Sequence, residues 1–145
     1  MKQEDKELLL KDLCARLPYG VFCNIGLDYP LQLQSLFVDK LDGILLDFYK
    51  DGKDYQVYLG EVKPYLFPLS SMTEKQKKEY NTLLTDVPTY QYEYGDIVTV
   101  IESYDNWRSI DYLNANHFDY RGLIEDGLAI DATGTDIYDV PEELL

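Results

Sequence analysis

The chain has 145 residues and a formal net charge of −14, with 27 Asp and Glu against 13 Lys and Arg. That length supports one hydrophobic core and leaves no room for a second domain, so the expectation is a single acidic domain over residues 1–145. Such a charge disfavours direct binding of nucleic-acid phosphates, which calls for clustered Lys and Arg. No run approaches the roughly 18 apolar residues of a membrane span, and the polar start from Met1 to Lys6 does not open a secretory signal. A cytoplasmic protein that does not enter the membrane is expected.

In chain order, Glu4, Asp5 and Glu7 suit the positive end of a first helix, Arg16 suits its last turn, and Pro18 stops it. Its inward stripe reads as Leu10, Leu13, Cys14 and Leu17, with Leu9 beside it. Residues 19–25 read as a strand, ended by Gly26 and the Asp28-Tyr29-Pro30 turn. Cys14 and Cys23 then fall on core positions of these two elements, and two reduced, mostly buried thiols fit a reducing compartment.

Residues 31–38 and 44–50 are apolar enough for two strands, joined through residues 39–43. Asp51-Gly52 between two β-prone runs is the strongest short-range hairpin signal in the chain. Beyond it Tyr55, Val57 and Leu59 alternate with Gln56 and Tyr58, which predicts a sheet with one buried and one wet face. The first helix is the natural cover for the buried face.

Pro64 and Pro68 suggest an extended connector over residues 63–70. Ser71 with Glu74, or Thr73 with Gln76, then offers a capping box for a second helix running to about Leu84, with Tyr80, Leu83 and Leu84 inward. Residues 97–101 read as a strand, although residues 86–108 also suit a loop inserted into a simpler fold. From Ser109 two short helices are expected, with Ile110, Leu113, Phe118, Leu123 and Ile124 inward and Gly127 as a helix end. Residues 128–130 suit a brief strand, and the tail over residues 131–145 suits loop. The fold class is therefore α+β: an N-terminal helix, an antiparallel β-meander of about four strands, a covering helix and a helical C-terminal segment.

Several patterns that carry chemistry elsewhere fail here. Asp131-Ala132-Thr133-Gly134-Thr135 lacks the lysine of the D-K-T-G-T phosphorylation loop, which also requires a parallel sheet continuing beyond the aspartate. As a calcium loop, the same stretch has Asp136 where the sharp turn demands glycine. His117, the only histidine, has no H-x-x-x-H or C-x-x-C companion for zinc, and reads as a surface or capping residue beside Asp119. Glycine-rich phosphate loops are absent. No catalytic residue, metal ligand or cofactor is assigned.

Charge placement is more informative than its total. Residues 1–85 hold 13 acids against 11 bases, whereas residues 86–145 hold 14 acids against Arg108 and Arg121 alone. Within that acidic half Tyr90, Tyr92 and Tyr94 alternate as they would on one face of a strand. Tyrosine joins a large stiff ring to a polar tip, which suits contact surfaces. Tyr90, Tyr92, Tyr94, Asp96, Glu102 and Asp105 are the candidate partner surface.

Lys11 to Val21, Glu61 to Tyr65, Ser70 to Glu74, His117 to Ile124 and Gly127 to Ala129 together resemble a group of short proteins that recur in gut anaerobes and their phages or mobile elements. The resemblance implies a cytoplasmic setting and a mobile-element origin; it brings no activity and no site residues. The functional expectation is a nonenzymatic accessory protein that binds another protein. The alternatives are an acidic inhibitor that presents carboxylates in place of nucleic-acid phosphates, and an enzyme whose site forms only in three dimensions.

Overall fold

The computed structural model describes residues 1–39, 43–85, 89–94, 97–102 and 107–139, with 89–94 and 97–102 described as backbone. It is a mixed helix and sheet structure with an N-terminal helix and a mostly antiparallel sheet. Helix α1 (Gln3–Arg16) opens with Glu4 and Asp5 in its first turn and closes with Arg16 in its last. Its buried face is Leu9, Asp12, Leu13 and Arg16, a helical i, i+3, i+4, i+7 set. This corrects the expected stripe: Leu10 and Leu17 are half-buried and Cys14 is exposed, because a buried ion pair occupies positions that apolar counting passes over.

A short 3₁₀ turn (Leu17–Tyr19) ends at Gly20, whose φ of 72° is left-handed. That conformation suits glycine, and a Cβ there would also displace the Gln32 side-chain amide, 2.6 Å away. The strand expected from residue 19 therefore begins later and is short: β1 spans Phe22–Asn24. Strands β2 (Leu31–Asp39), β3 (Gly43–Lys50) and β4 (Lys53–Tyr58) follow as antiparallel neighbours, with a register shift in β2 between Leu33 and Ser35. Asp51 and Gly52 both have positive φ, 51° and 81°, as the tight hairpin requires. The expected turn between β2 and β3 includes residues 40–42, which lie outside the described residues.

The expected connector over residues 63–70 is instead strand β5 (Lys63–Pro68), and it sits inside the sheet. It pairs antiparallel with β1 through Cys23↔Pro64 and Asn24↔Lys63, then parallel with β8 (Phe118–Asp119) and β9 (Ile130–Asp131). Pro64 lacks an N–H and Pro68 ends the strand, so its prolines shorten the ladder without abolishing it. The order is β4-β3-β2-β1-β5-β8, with β9 also paired to β5.

Parallel pairing between β5 and β8 requires a long crossover. Helices α2 (Glu74–Thr85) and α3 (Trp107–Ala115) supply it, and between them β6 (Thr89–Tyr94) and β7 (Ile97–Glu102) form a separate two-stranded antiparallel sheet. Of the two possible capping boxes, Thr73 and Gln76 make it: Thr73 N–H donates to Gln76 Oε1 at 2.9 Å and Gln76 N–H donates to Thr73 Oγ1 at 3.1 Å. Ser71 donates to the Pro68 carbonyl instead. The two helices meet through Tyr80 and Tyr112, with Tyr112 donating to Glu79 at 2.7 Å.

Two expected inward residues, Leu84 and Ile110, are exposed. The second of the two C-terminal helices is not formed either; residues 123–127 are turns, with Gly127 at φ 75°. The core joins Leu9 and Leu13 of α1 to Val21, Cys23, Leu33, Leu46, Phe48, Val62 and Leu66 of the sheet side, and to Leu123 and Leu128 of the C-terminal segment. Among the described residues no helix is long and apolar enough to cross a membrane.

Candidate functional site

The last helical turn of α1 holds a charged cluster inside the fold. Arg16 Nε donates to Asp12 Oδ2 at 2.8 Å, both side chains being wholly buried, and Arg16 Nη2 donates to the Phe118 carbonyl at 2.6 Å. Arg121 Nε lies 3.4 Å from Asp12 Oδ1, close enough for charge pairing but without hydrogen-bond geometry. The guanidinium groups of Arg16 and Arg121 lie 5.2 Å and 5.0 Å from the centre of the Tyr120 ring. Burial raises the Asp12 carboxyl above its usual range, against the lowering pull of Arg16 and Arg121. Asp119, two residues from Arg121, accepts the N–H groups of Leu123 and Ile124 at 3.0 Å and 2.9 Å and fixes the following turn.

His117 lies beside this cluster; of the surface and capping positions expected for it, it takes the one that ends α3, with its ring buried. It leaves α3 in the left-handed region at φ 61°, a helix-ending conformation that glycine or asparagine usually supplies, and its carbonyl accepts the Phe67 N–H at 2.8 Å. The residue is only 8% exposed, and its ring stacks on Tyr138 with centroids 3.5 Å apart at 14°. Burial and then the Arg16 charge push its pKa down to about 4, so the ring is neutral at pH 7. Among the described residues Nδ1 has no hydrogen-bond partner.

The tail is loop over residues 132–139, as expected, and Tyr138 anchors it to the sheet. Its hydroxyl accepts the Phe22 N–H at 3.0 Å and donates to the Tyr65 carbonyl at 2.7 Å. Those groups lie one step beyond the last β1–β5 pair, Cys23↔Pro64, so the hydroxyl serves as a rung where the two strands stop pairing. Phe22, Phe67 and His117 surround the ring, and burial raises its phenol pKa.

Where α2 begins and α3 ends, these residues border a cleft of about 440 Å³, lined by Phe67, Gln76, Asn116, His117, Thr133 and Tyr138 among others. Asp131 accepts from the Thr133 N–H at 2.9 Å and from its hydroxyl at 2.5 Å, which holds its carboxyl below the usual range and shapes the loop beside the cleft. Among the described residues no activated nucleophile borders the cleft. Burial and the nearby Asp12 carboxylate push the Cys23 thiol far up, away from thiolate chemistry. Among the described residues no cluster of His, Cys, Asp or Glu is arranged to hold a metal ion.

The residues singled out in the sequence lie at the other end of the crossover. Tyr90, Tyr92 and Tyr94 sit at alternate positions of β6 opposite Ile101, Thr99 and Ile97, which places all six on one face of the hairpin. Glu102 pairs with Thr89 and belongs to the opposite face. Asp96 and Asp105 lie outside the described residues. On either side of the hairpin in the chain, at the end of α2 and the start of α3, three large apolar side chains are exposed: Leu84 at 41%, Trp107 at 62% and Ile110 at 42%. Sequence reading placed Leu84 and Ile110 inward and did not single out Trp107; the exposed tryptophan beside an alternating tyrosine run is the signal it passed over. No protein-family model, curated protein or solved structure matches the chain.

Proposed function

We propose that this is a nonenzymatic accessory protein of the cytoplasm, encoded by a phage or mobile element, that binds another protein through the β6–β7 hairpin and the adjoining ends of α2 and α3. The observation that carries this reading is the exposure of Leu84, Trp107 and Ile110 on either side of a hairpin with tyrosines at alternate positions. Exposed tryptophan and neighbouring aliphatics have little to gain from water, and aromatic anchors of this kind dominate the energetics of protein contacts. The hairpin adds to the argument. Two strands alone are marginal in water, so a surface that packs against them would both hold the partner and firm the hairpin.

One observation favours a second reading, an acidic inhibitor standing in for nucleic-acid phosphates. Glu125, Asp126, Asp131, Asp136 and Asp139 are exposed, and none forms a salt bridge among the described residues. Affinity capture from lysate of the source cell at low and high salt separates the two. An apolar, aromatic contact keeps its partner at high salt and loses it in the Trp107→Ala/Ile110→Ala protein, whereas a phosphate mimic loses its partner to salt and is indifferent to that double change. Capture of nothing at either salt concentration counts against both.

A further inference from the structure

We propose that the cleft between the start of α2 and the end of α3 is a binding site for a small, uncharged, flat ring that carries adjacent hydrogen-bond donors and acceptors, the chemistry of a free nucleobase or nucleoside. Its volume of about 440 Å³ is that of a small-molecule site. Phe67 and Tyr138, both half-buried, form the aromatic part of its wall, with one face of Tyr138 already covered by His117.

The polar lining is specific in kind. Gln76 spends Oε1 on the Thr73 N–H, which leaves the Nε2 donor, and Asn116 spends Nδ2 on the Tyr112 carbonyl, which leaves the Oδ1 acceptor. One fixed amide donor and one fixed amide acceptor suit the edge of a heterocycle, as Asn and Gln do when they recognise a base. Among the described residues no Lys or Arg lines the cleft while Asp139 does, so a phosphate or carboxylate ligand is disfavoured.

His117, more than nine-tenths buried, forms part of the cleft wall where α3 ends.

The test is a titration of the full chain with adenosine, guanosine, cytidine and uridine, and separately with their 5′-monophosphates, followed by NMR of backbone and side-chain amides and by calorimetry. Saturable binding of at least one nucleoside at millimolar concentration or below, with shifts centred on Gln76, Asn116 and Gly134, is expected. Gln76→Glu keeps the capping acceptor and removes the free donor; it should weaken binding at least about tenfold with the melting temperature unchanged. Ala115→Phe, at an exposed lining position, should fill the cleft and abolish binding. The proposal is overturned by the absence of saturable binding, by equal affinity in both variants, or by monophosphates binding more tightly than nucleosides.

Discussion

The α2–α3 crossover has two ends that treat their side chains in opposite ways. At the end formed by the start of α2 and the finish of α3, the chain closes on itself: Gln76 and Thr73 cap the helix reciprocally, Tyr138 bridges β1 to β5, and Arg16 reaches the Phe118 carbonyl. At the other end Leu84, Trp107 and Ile110 stay in water on either side, in the chain, of a hairpin that forms a sheet of its own. The closed end is tied by several polar groups with fixed partners, alongside buried atoms of Asp12, Arg16, Arg121 and His117 that have no hydrogen-bond partner among the described residues. The open end leaves these three apolar side chains exposed among the described residues, and the ends are proposed to have different tasks: a shaped cleft at one, and contact with a partner at the other.

The contrast predicts a steep gradient of stability effects, largest at the closed end. Arg16→Met removes the cation from a wholly buried pair and leaves Asp12 with only Arg121 near it; unfolding in urea should show a loss of about 3–5 kcal/mol. In Asp12→Leu/Arg16→Met, where the buried carboxylate is gone as well, much of that loss should be recovered. A single Arg16 variant as stable as the parent would mean that the cluster does not hold the closed end together.

Tyr138→Phe keeps the stacked ring and deletes the rung, leaving the Phe22 N–H and Tyr65 carbonyl without their partner at a cost of about 1–3 kcal/mol for each group left buried. Faster hydrogen exchange at the Phe22 amide is the local readout. Exchange unchanged from the parent would show that the strands close without the hydroxyl.

His117 gives the closed end a pH dependence. Its pKa falls from an ordinary 6.5 to about 4 in the fold, so the unfolded chain takes up the proton first. The stability it contributes is complete above about pH 6.5 and is lost as pH falls toward 4, a loss of roughly 2 kcal/mol by pH 5. Asn tolerates the left-handed backbone, so in His117→Asn the part of the pH 7-to-5 decline that belongs to this residue should vanish while the fold persists. Equal slopes in the two proteins would place the ring in a solvated setting.

What the sequence made legible is what neighbours in the chain decide. Asp51-Gly52 specified its hairpin through two positive φ angles, and Thr73 with Gln76 specified a helix start, because those interactions span no more than three residues. Strand β5 was hidden by its two prolines, and the two-residue strands β8 and β9 are too short for any alternation to register. The closed end was the least legible. Tyr138 meets Phe22 across 116 positions and Arg16 meets Phe118 across 102, distances over which composition and periodicity carry no information. Nothing in the i, i+4 spacing of Asp12 and Arg16 marks them as buried, and only the packing of α1 against the C-terminal segment buries them.

The smallest effect on stability belongs to the open end, and there a small number is the informative one. Trp107 is 62% exposed, so Trp107→Ala removes few folded-state contacts and should change the unfolding free energy by no more than about 0.5 kcal/mol. Affinity for a captured partner should fall at least about tenfold in the same protein, since a tryptophan that anchors an interface contributes well over 1 kcal/mol to binding. The pairing of those two measurements is what discriminates. A large stability loss would make Trp107 part of the scaffold under the hairpin, and a neutral result in both would remove the open end as a contact surface; only stability kept and affinity lost fits apolar groups left in water because something else covers them.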